Sequence, residues 1–174
     1  TTLSVTIGIV SGYFGGWIDM LFQRLIDAWI AFPAIIFVMV LISVTGPGIW
    51  WLTLAIGMQL GVGSSRIIRS ATLSVKSSTY VEAARATGAT HTRLIFVHVL
   101  PNVMPLVIAN TTLTVAIVIL SMTTLSFLGL FDPNIISWGG MLEAADGAGA
   151  ASEGAWWFLI PPGLCVIAVV LAFT

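Results

Sequence analysis

Charged residues are scarce in this sequence, where six basic and seven acidic side chains make up 7% of the 174 residues. A soluble domain has about 25% charged residues, and so few charges cannot coat the surface of a soluble globule. The net charge of −1 gives no field that would attract a nucleic acid, and the hydrophobic content of 58% excludes a disordered chain. The class that remains is an all-α integral membrane protein.

Cysteine and catalytic motifs are also nearly absent. Cys165 is the single cysteine, which excludes an internally disulfide-linked domain, and its apolar surroundings predict a small core side chain. The sequence contains no HExxH, no GxSxG and no phosphate-binding loop. His91 and His98 have no cysteine or acid at ligand spacing, so no metal site is expected. We expect no catalytic residue and no bound cofactor, which disfavours a membrane-embedded enzyme.

Long charge-free runs define the predicted helices, because a helix that crosses a bilayer needs roughly 20 apolar residues. Such runs cover residues 28–65, 94–131 and 154–174. Thr45–Gly48 interrupts the first run, and Gly129 and Pro133 end the second. The sequence therefore predicts five helices, over residues 1–14, 29–44, 49–65 and 103–125 and from Trp156 onward. We expect one transmembrane domain over 1–174, as a fragment of a longer protein.

The three polar stretches between these helices predict an orientation. All six basic residues lie in residues 15–27 and 66–100, whereas four of the seven acids lie in residues 126–155. Basic loops mark the cytoplasmic side, and two helices separate the two basic stretches, so both are predicted to be cytoplasmic and 126–155 external. The predicted spans hold no ionisable residue, unlike those of most secondary transporters. A secondary transporter or channel is therefore the less favoured alternative.

The inner segment 66–100 is long for a connection, since ordinary helix–helix links have 2–8 residues. Thr79 and Glu82 fit a capping box, which predicts a short helix over 80–87 that ends at Gly88. Thr90 is predicted to cap a second helix over 91–99, and Pro101 to open the next membrane helix. From this pattern alone the segment is either a solvated connector or a protein-docking element.

The spacing of this segment resembles the EAA loop of ABC-importer permeases. Glu82-Ala83-Ala84 is followed after three residues by Gly88, and Leu100-Pro101 closes the pattern. The stretches GYFGGW from Gly12 and SFLGL from Ser126 are similar to the dipeptide/oligopeptide/nickel branch, and favour the second of its two permease subunits. The resemblance covers most of the chain. It implies a helical bundle of the MetI-like transmembrane type.

The resemblance further implies a permease subunit in the cytoplasmic (inner) membrane that forms half of the pathway for peptides or similar small solutes. Nickel or another small solute is the alternative within the family. The implied partners are a second permease subunit in a heterodimer, two ATP-binding subunits that hydrolyse ATP, and an extracytoplasmic solute-binding protein. In such importers the EAA helix couples to the ATPase. The residues that this role implies here are Thr79, Tyr80, Glu82, Ala83, Ala84, Arg85, Gly88, Arg93 and Pro101.

Glycines spaced four apart predict close helix packing, and they are Gly8, Gly12, Gly16, Gly57 and Gly61. Such pairs are common in membrane helices, so a specific sliding role remains one of two interpretations. Pro33 either kinks its helix or lies in the first turn.

The outer stretch 126–155 is expected to meet the solute-binding protein. Trp138, Trp156 and Trp157 either take part in that contact or are ordinary interfacial aromatics. The acids of this stretch either attract a basic patch or a cationic substrate, or are solvated loop charges.

Overall fold

The computed structural model describes residues 1–132 and 134–174, and these residues form helices and no strands. The helices in chain order are α1 (Thr2–Phe14), α2 (Gly16–Ile30), α3 (Ala34–Thr45), α4 (Ile49–Lys76), α5 (Thr79–Ala86), α6 (His91–Arg93), a π-helix (Leu94–Val99), α7 (Leu100–Phe127), α8 (Trp138–Gly147) and α9 (Trp156–Ala172). The all-helical prediction is confirmed. Pro133, which was expected to help end a helix, lies outside the described residues.

Each of the five predicted apolar segments forms a helix, but the polar stretches are helical too, so the count of five is too low. Residues 16–30 form α2, and the predicted helix 29–44 is divided at Ala31–Pro33. Pro33 is the N-cap of α3 with φ −59°, so it begins a helix and does not kink one. The predicted helix 49–65 continues to Lys76.

One helical run, His91–Phe127, is long and apolar enough by itself to cross a bilayer. Helices α2 and α3 meet the same criteria of length and composition only when they are counted together despite the break between them. Helices α1 and α9 are apolar but shorter.

The chain divides into two compact units. The first contains residues 1–32 and 58–111, and the second contains residues 33–57 and 112–174. The expectation of a single transmembrane domain stays a prediction.

In the first unit, α1 packs tightly along α4. A Cβ atom on Gly8 would lie 2.8 Å from Cβ of Ile68, and one on Gly12 would lie 2.9 Å from the Arg69 carbonyl oxygen. Both distances are shorter than a methyl group tolerates, so only glycine permits this approach. Because the contacts ascend together in both helices, α1 and α4 run in the same direction.

The other glycines of the predicted packing set differ from these two. A Cβ atom on Gly61 would lie 3.7 Å from Oγ of Ser4, an ordinary contact. No neighbouring atom of the described chain lies within 4 Å of the Cβ position of Gly16 or Gly57, so neither makes the predicted close contact. Gly15 and Gly16 instead take φ values of 67° and 57° and turn the chain from α1 into α2.

Two ion pairs hold α2 against α4. The guanidinium of Arg69 donates from Nε and from Nη2 to the two carboxylate oxygens of Asp19, both at 2.5 Å, and Arg66 pairs with Asp27. These contacts join residues 15–27 to the start of 66–100, the two stretches that were predicted to share one side of the membrane. They also explain why α4 continues past its charge-free part to Lys76, because Arg66 and Arg69 are neutralised by the acids of α2.

The core of the first unit includes side chains from the start, middle and end of the inner segment 66–100. Its buried apolar side chains come from α1, α4, α5, the π-helix and α7, and they are Ile9, Tyr13, Ile68, Val81, Leu94, Val99, Val103 and Val107. The short helix α5 is therefore attached to the core of this unit.

In the second unit, the end of α7 packs on the start of α8. Gly139 is buried, and a Cβ atom there would lie 2.6 Å from Cβ of Ser126. Cys165 in α9 is exposed, so its prediction as a core residue is wrong. Apolar runs of a membrane protein place such side chains on the lipid-facing surface as readily as inside.

Candidate ATPase-coupling site

The chain leaves α4 at Lys76 and reverses through two serines into α5. The predicted capping box is wrong by one residue, because α5 begins at Thr79 and its N-cap is Ser78. The backbone N–H groups of Val81 and Glu82 donate to the Ser78 carbonyl oxygen at 3.0 and 3.1 Å. The Ser78 hydroxyl donates back to Val75 at 2.6 Å, so no side chain caps the helix. Thr79 is therefore the first helical residue.

Gly88 ends α5 as the sequence predicts. Its φ of 87° lies in the left-handed region that favours glycine. The N–H of Gly88 donates to the carbonyl oxygen of Arg85 at 3.0 Å, and the N–H of Ala89 donates to that of Ala84 at 3.1 Å. These two bonds form a Schellman motif, which satisfies carbonyls that a helix end otherwise leaves unpaired. The chain thereby turns sharply within three residues of α5.

One face of α5 is anchored in the unit. The Val81 side chain is fully buried in the core cluster, and Ala84 and Ala89 pack partly buried against the same cluster. The two alanines of the Glu82-Ala83-Ala84 triplet therefore lie on different faces of α5, since Ala84 packs inward whereas Ala83 is exposed. Of the two alanines, only Ala83 is therefore on the exposed surface of α5.

The opposite face of α5 is exposed and has little side-chain bulk. Thr79, Glu82, Ala83 and Ala86 recur at helical spacing on this face, with Tyr80 and Arg85 exposed at its edges. Neither Glu82 nor Arg85 forms an ion pair with another residue of the described chain. The surface therefore offers close backbone approach at the alanines and two opposite charges to a partner.

Arg93 and Pro101 lie beyond α5. Thr90 caps α6, because its hydroxyl accepts from the Arg93 N–H at 3.4 Å, and the Arg93 side chain is exposed. Pro101 is the second residue of α7, at the start of the helix as predicted, although α7 continues without a break from the helix before it. The π-helix directly precedes it, with the Leu100 N–H donating to the Ile95 carbonyl oxygen. This wider turn accommodates a proline that would otherwise interrupt an α-helix.

Sequence reasoning missed three residues that brace this site. The Tyr13 hydroxyl at the end of α1 lies 2.9 Å from Nδ1 of His91, and Lys76 Nζ lies 5.7 Å from the centre of the Tyr13 ring. Tyr13 is buried in the core cluster. The only sequence signal was a polar ring in an otherwise apolar helix, and it does not reveal a partner 78 residues away.

The outer stretch 126–155, in the second unit, contains a pair of serine hydroxyls with a cavity beside it. Ser137 caps α8 by accepting from the Gly140 N–H at 3.1 Å, and its hydroxyl lies 2.5 Å from that of Ser126. A cavity of about 500 Å³ opens beside this pair, lined mainly by Ile119, Met122, Phe131, Ile136 and Met141. Trp138, Trp156 and Trp157 are exposed, and Trp156 and Trp157 stack edge to face. This geometry is compatible with both interpretations of the tryptophans.

The described residues are helical with no strands, and their apolar run His91–Phe127 is long enough to cross a bilayer, which is typical of a helical membrane protein. The chain belongs to the family of binding-protein-dependent transport system inner membrane components, whose family model matches residues 4–174. Family membership identifies the chain as part of an inner-membrane transport system.

Curated relatives agree with this family. The chain is 38% identical over 173 residues to an oligopeptide transport system permease protein, OppC, of Haemophilus influenzae, covering 99% of this chain and 55% of that protein. It is 34% identical to a dipeptide transport system permease protein, DppC, of Alkalihalophilus pseudofirmus, covering 97% and 55%. It is 35% identical to OppC of Mycobacterium bovis, covering 99% and 60%. The chain thus spans little more than half the length of these relatives.

Proposed function

We propose that this chain is a permease subunit of an ATP-driven importer and forms half of a transmembrane pathway for peptides or similar small solutes. The observation that carries the proposal is α5, whose inner face is anchored through Val81 while Glu82 and Ala83 are exposed. Within this family, such a helix is suited to couple the membrane domain to an ATPase. Relatives named for oligopeptide and dipeptide transport favour peptides over nickel as the substrate.

The proposal includes partners that supply what this chain lacks. A second permease subunit completes the pathway as a heterodimer, two ATP-binding subunits bind and hydrolyse ATP, and an extracytoplasmic solute-binding protein delivers the solute. This chain itself acts as a transport component without catalytic residues or a cofactor. Glu82, Arg85 and Arg93 have no ion-pair partners within the described chain, so their charges are free to pair with an ATPase surface.

The proposed orientation has residues 66–100 in the cytoplasm and residues 126–155 outside. The ion pair between Asp19 and Arg69 supports this, because it links the only two stretches that hold basic residues. Short loops with basic residues remain on the cytoplasmic side during insertion.

Crosslinking tests the proposal. In the complete transporter with Cys165→Ser, Ala83→Cys should crosslink through a short cysteine-reactive reagent to an ATPase subunit, and the yield should change with ATP. Ala151→Cys is the matched control, because this exposed alanine lies in the outer stretch. It should react with an impermeant maleimide from outside and give no ATPase crosslink. An Ala83→Cys variant that transports normally without contacting the ATPase would contradict the proposed coupling role.

A further inference from the structure

Two adjoining cavities of the second unit lie where the end of α7 meets the start of α8, and the proposed function gives neither of them a role. Their volumes are about 500 and 420 Å³. Ligand sites have volumes of about 300–1,000 Å³, so each cavity is large enough to receive part of a partner molecule. The residues that line both cavities define a surface that we call the outer groove, and they are Ser126, Phe131, Ile136, Ser137 and Met141.

Two glycines fix the shape of the outer groove. Gly139 holds α8 against α7, because a Cβ atom there would lie 2.4 Å from the Thr123 carbonyl oxygen. Gly129 ends α7 with φ 71°, and its N–H donates to the Ser126 carbonyl oxygen at 3.1 Å. The Ser126 hydroxyl pairs with that of Ser137. The polar groups at the base of the groove are therefore satisfied within the chain, and what remains open to a partner is mainly apolar.

The apolar walls of the outer groove are exposed. The exposed fraction of Ile136 is 88%, and that of Met141 is 45%. Ile119, Met122 and Trp138 extend the apolar lining of the first cavity. Aromatic residues and methionine are enriched at protein–protein interfaces, and the flexible methionine side chain adapts to the shape of a partner. A concave apolar surface of this kind is suited to receive a bulky apolar side chain that anchors a partner protein.

One edge of the outer groove is acidic. Asp132 and Glu143 line the second cavity, and neither forms an ion pair with any residue that the structure describes. Two hydrogen bonds from Asn134, at 2.9 and 3.0 Å, hold the Asp132 carboxylate, and Oε1 of Glu143 lies 3.1 Å from the Cβ position of Gly129. Residues 126–155 contain no lysine or arginine that could compensate these charges. The groove is therefore complementary to an apolar side chain that has a cation beside it.

We infer that the outer groove is a docking site for the solute-binding protein and receives a bulky apolar side chain of that protein next to a lysine or arginine. The apolar side chain enters the first cavity beside Met122 and Met141, and the cation pairs with Asp132 and Glu143. The inference rests on the proposed function, which puts residues 126–155 outside, and the family itself is described as binding-protein-dependent. A free peptide fits the groove less well, because no basic residue of this stretch would pair with its carboxylate.

Cysteine labelling of the complete transporter tests whether the solute-binding protein covers the groove. In spheroplasts with the Cys165→Ser background, Ile136→Cys should react with an impermeant maleimide. Added solute-binding protein, at about ten times its Kd, should slow this reaction about tenfold, since about a tenth of the sites stay free. Ala151→Cys is the control, because Ala151 is exposed in the outer stretch and does not line the groove. Its labelling should be slowed much less.

Affinity measurements test the chemistry of the groove. Ile136→Ala should weaken binding of the solute-binding protein about tenfold, and Glu143→Gln should weaken it about fivefold and reduce its salt dependence. Leu128→Ala and Glu153→Gln are the matched controls, since these exposed residues do not line the groove, and both should bind as the wild type does. Ile136 and Glu143 are exposed, so equal melting temperatures should show that all four variants fold.

Three results would overturn the inference. Ile136→Cys that is unreactive without the solute-binding protein, while Ala151→Cys reacts, would mean that lipid or another subunit covers the groove. Equal slowing at both positions would mean that the solute-binding protein covers the outer surface without using the groove. Wild-type affinity of Ile136→Ala and Glu143→Gln would show that the partner binds elsewhere.

Failure of the proposed function would look different. If Ile136→Cys and Ala151→Cys both reacted only after the membrane was permeabilised, the proposed orientation would be wrong, and the inference with it. The crosslink of Ala83→Cys to the ATPase does not involve the groove. The coupling role of α5 and the docking role of the outer groove can therefore fail separately.

Discussion

The hydroxyl of Tyr13 lies 2.9 Å from Nδ1 of His91, so the end of α1 is bonded to the first residue of α6 across 78 positions of sequence. Four residues separate His91 from the end of α5, and the Tyr13 ring is buried in the core that also anchors Val81. This bond therefore connects α1 to the segment that directly follows the candidate coupling site. A displacement of α5 and α6 would have to stretch the bond or move α1.

Replacing Tyr13 with phenylalanine should loosen α6 without emptying the core. The change removes one hydrogen bond, worth about 1 kcal/mol, so opening of α6 should become about fivefold more frequent. Hydrogen exchange of the backbone amides of residues 91–94 measures this. Tyr80→Phe is the matched control, since the Tyr80 side chain is exposed and its hydroxyl has no hydrogen bond within the described chain. Equal exchange in the two variants would contradict a bracing role for Tyr13.

Gly12→Ala should separate α1 from α4. The new methyl carbon would lie 2.9 Å from both the Arg69 carbonyl oxygen and Cβ of Thr72, so the helices must move apart, at a cost of about 1–3 kcal/mol. Gly57→Ala has open space around it and should be neutral or stabilise by up to about 1 kcal/mol, since alanine favours a helix. Thermal unfolding of the purified protein in detergent measures both. A destabilising effect of the same size at Gly57 would refute the assignment of close contact to Gly12.

The two ion pairs of α2 should differ in strength. Asp19 and Arg69 are partly buried and joined by two hydrogen bonds, whereas Asp27 and Arg66 are largely exposed. Arg69→Gln should therefore destabilise by about 2 kcal/mol because it leaves a partly buried carboxylate unpaired, and Arg66→Gln by less than about 1 kcal/mol. Denaturation of each single variant, and of each double variant with Asp→Asn at the partner, gives the coupling energies. Similar coupling energies for the two pairs would show that burial does not distinguish them.

A substitution at Gly88 should impair coupling to the ATPase more than it impairs insertion of the protein into the membrane. Its φ of 87° disfavours a β-branched residue strongly, so Gly88→Val should abolish transport while the protein still reaches the membrane. Gly88→Asn should retain part of the activity, because asparagine tolerates this conformation better. Gly147→Ala, in the last turn of α8 and without close neighbours, is the control and should transport normally. Normal transport by Gly88→Val would exclude a need for the sharp turn.

Much of the inner segment could be predicted because its signals are local. Gly88 and Thr90 end and begin helices through bonds to residues within five positions, so the sequence around them contains the information. The N-cap was predicted one residue too late because three consecutive hydroxyl residues, Ser77 to Thr79, can each fill that position. Local pattern does not choose between them.

The features that could not be predicted depend on distant partners. Helix α2 was read as a polar stretch because Asp19, Arg24 and Asp27 interrupt its apolar pattern. Two of these charges are instead neutralised by arginines 39 and 50 residues away. Tyr13 and His91 are a similar case. Side-chain pairing across such separations leaves no periodic trace in a single sequence.

The π-helix before Pro101 gives the helical run His91–Phe127 one residue more than an unbroken α-helix of the same length would need. Deleting any one residue of Leu94–Val99 would allow that turn to close as an ordinary α-helix. Each α-helical residue turns the chain by about 100°, so such a deletion would rotate α6, and α5 with it, by about that angle around the axis of α7. A deletion of one residue would thus change the direction in which Glu82 and Ala83 face, although the sequence of α5 itself would be unchanged.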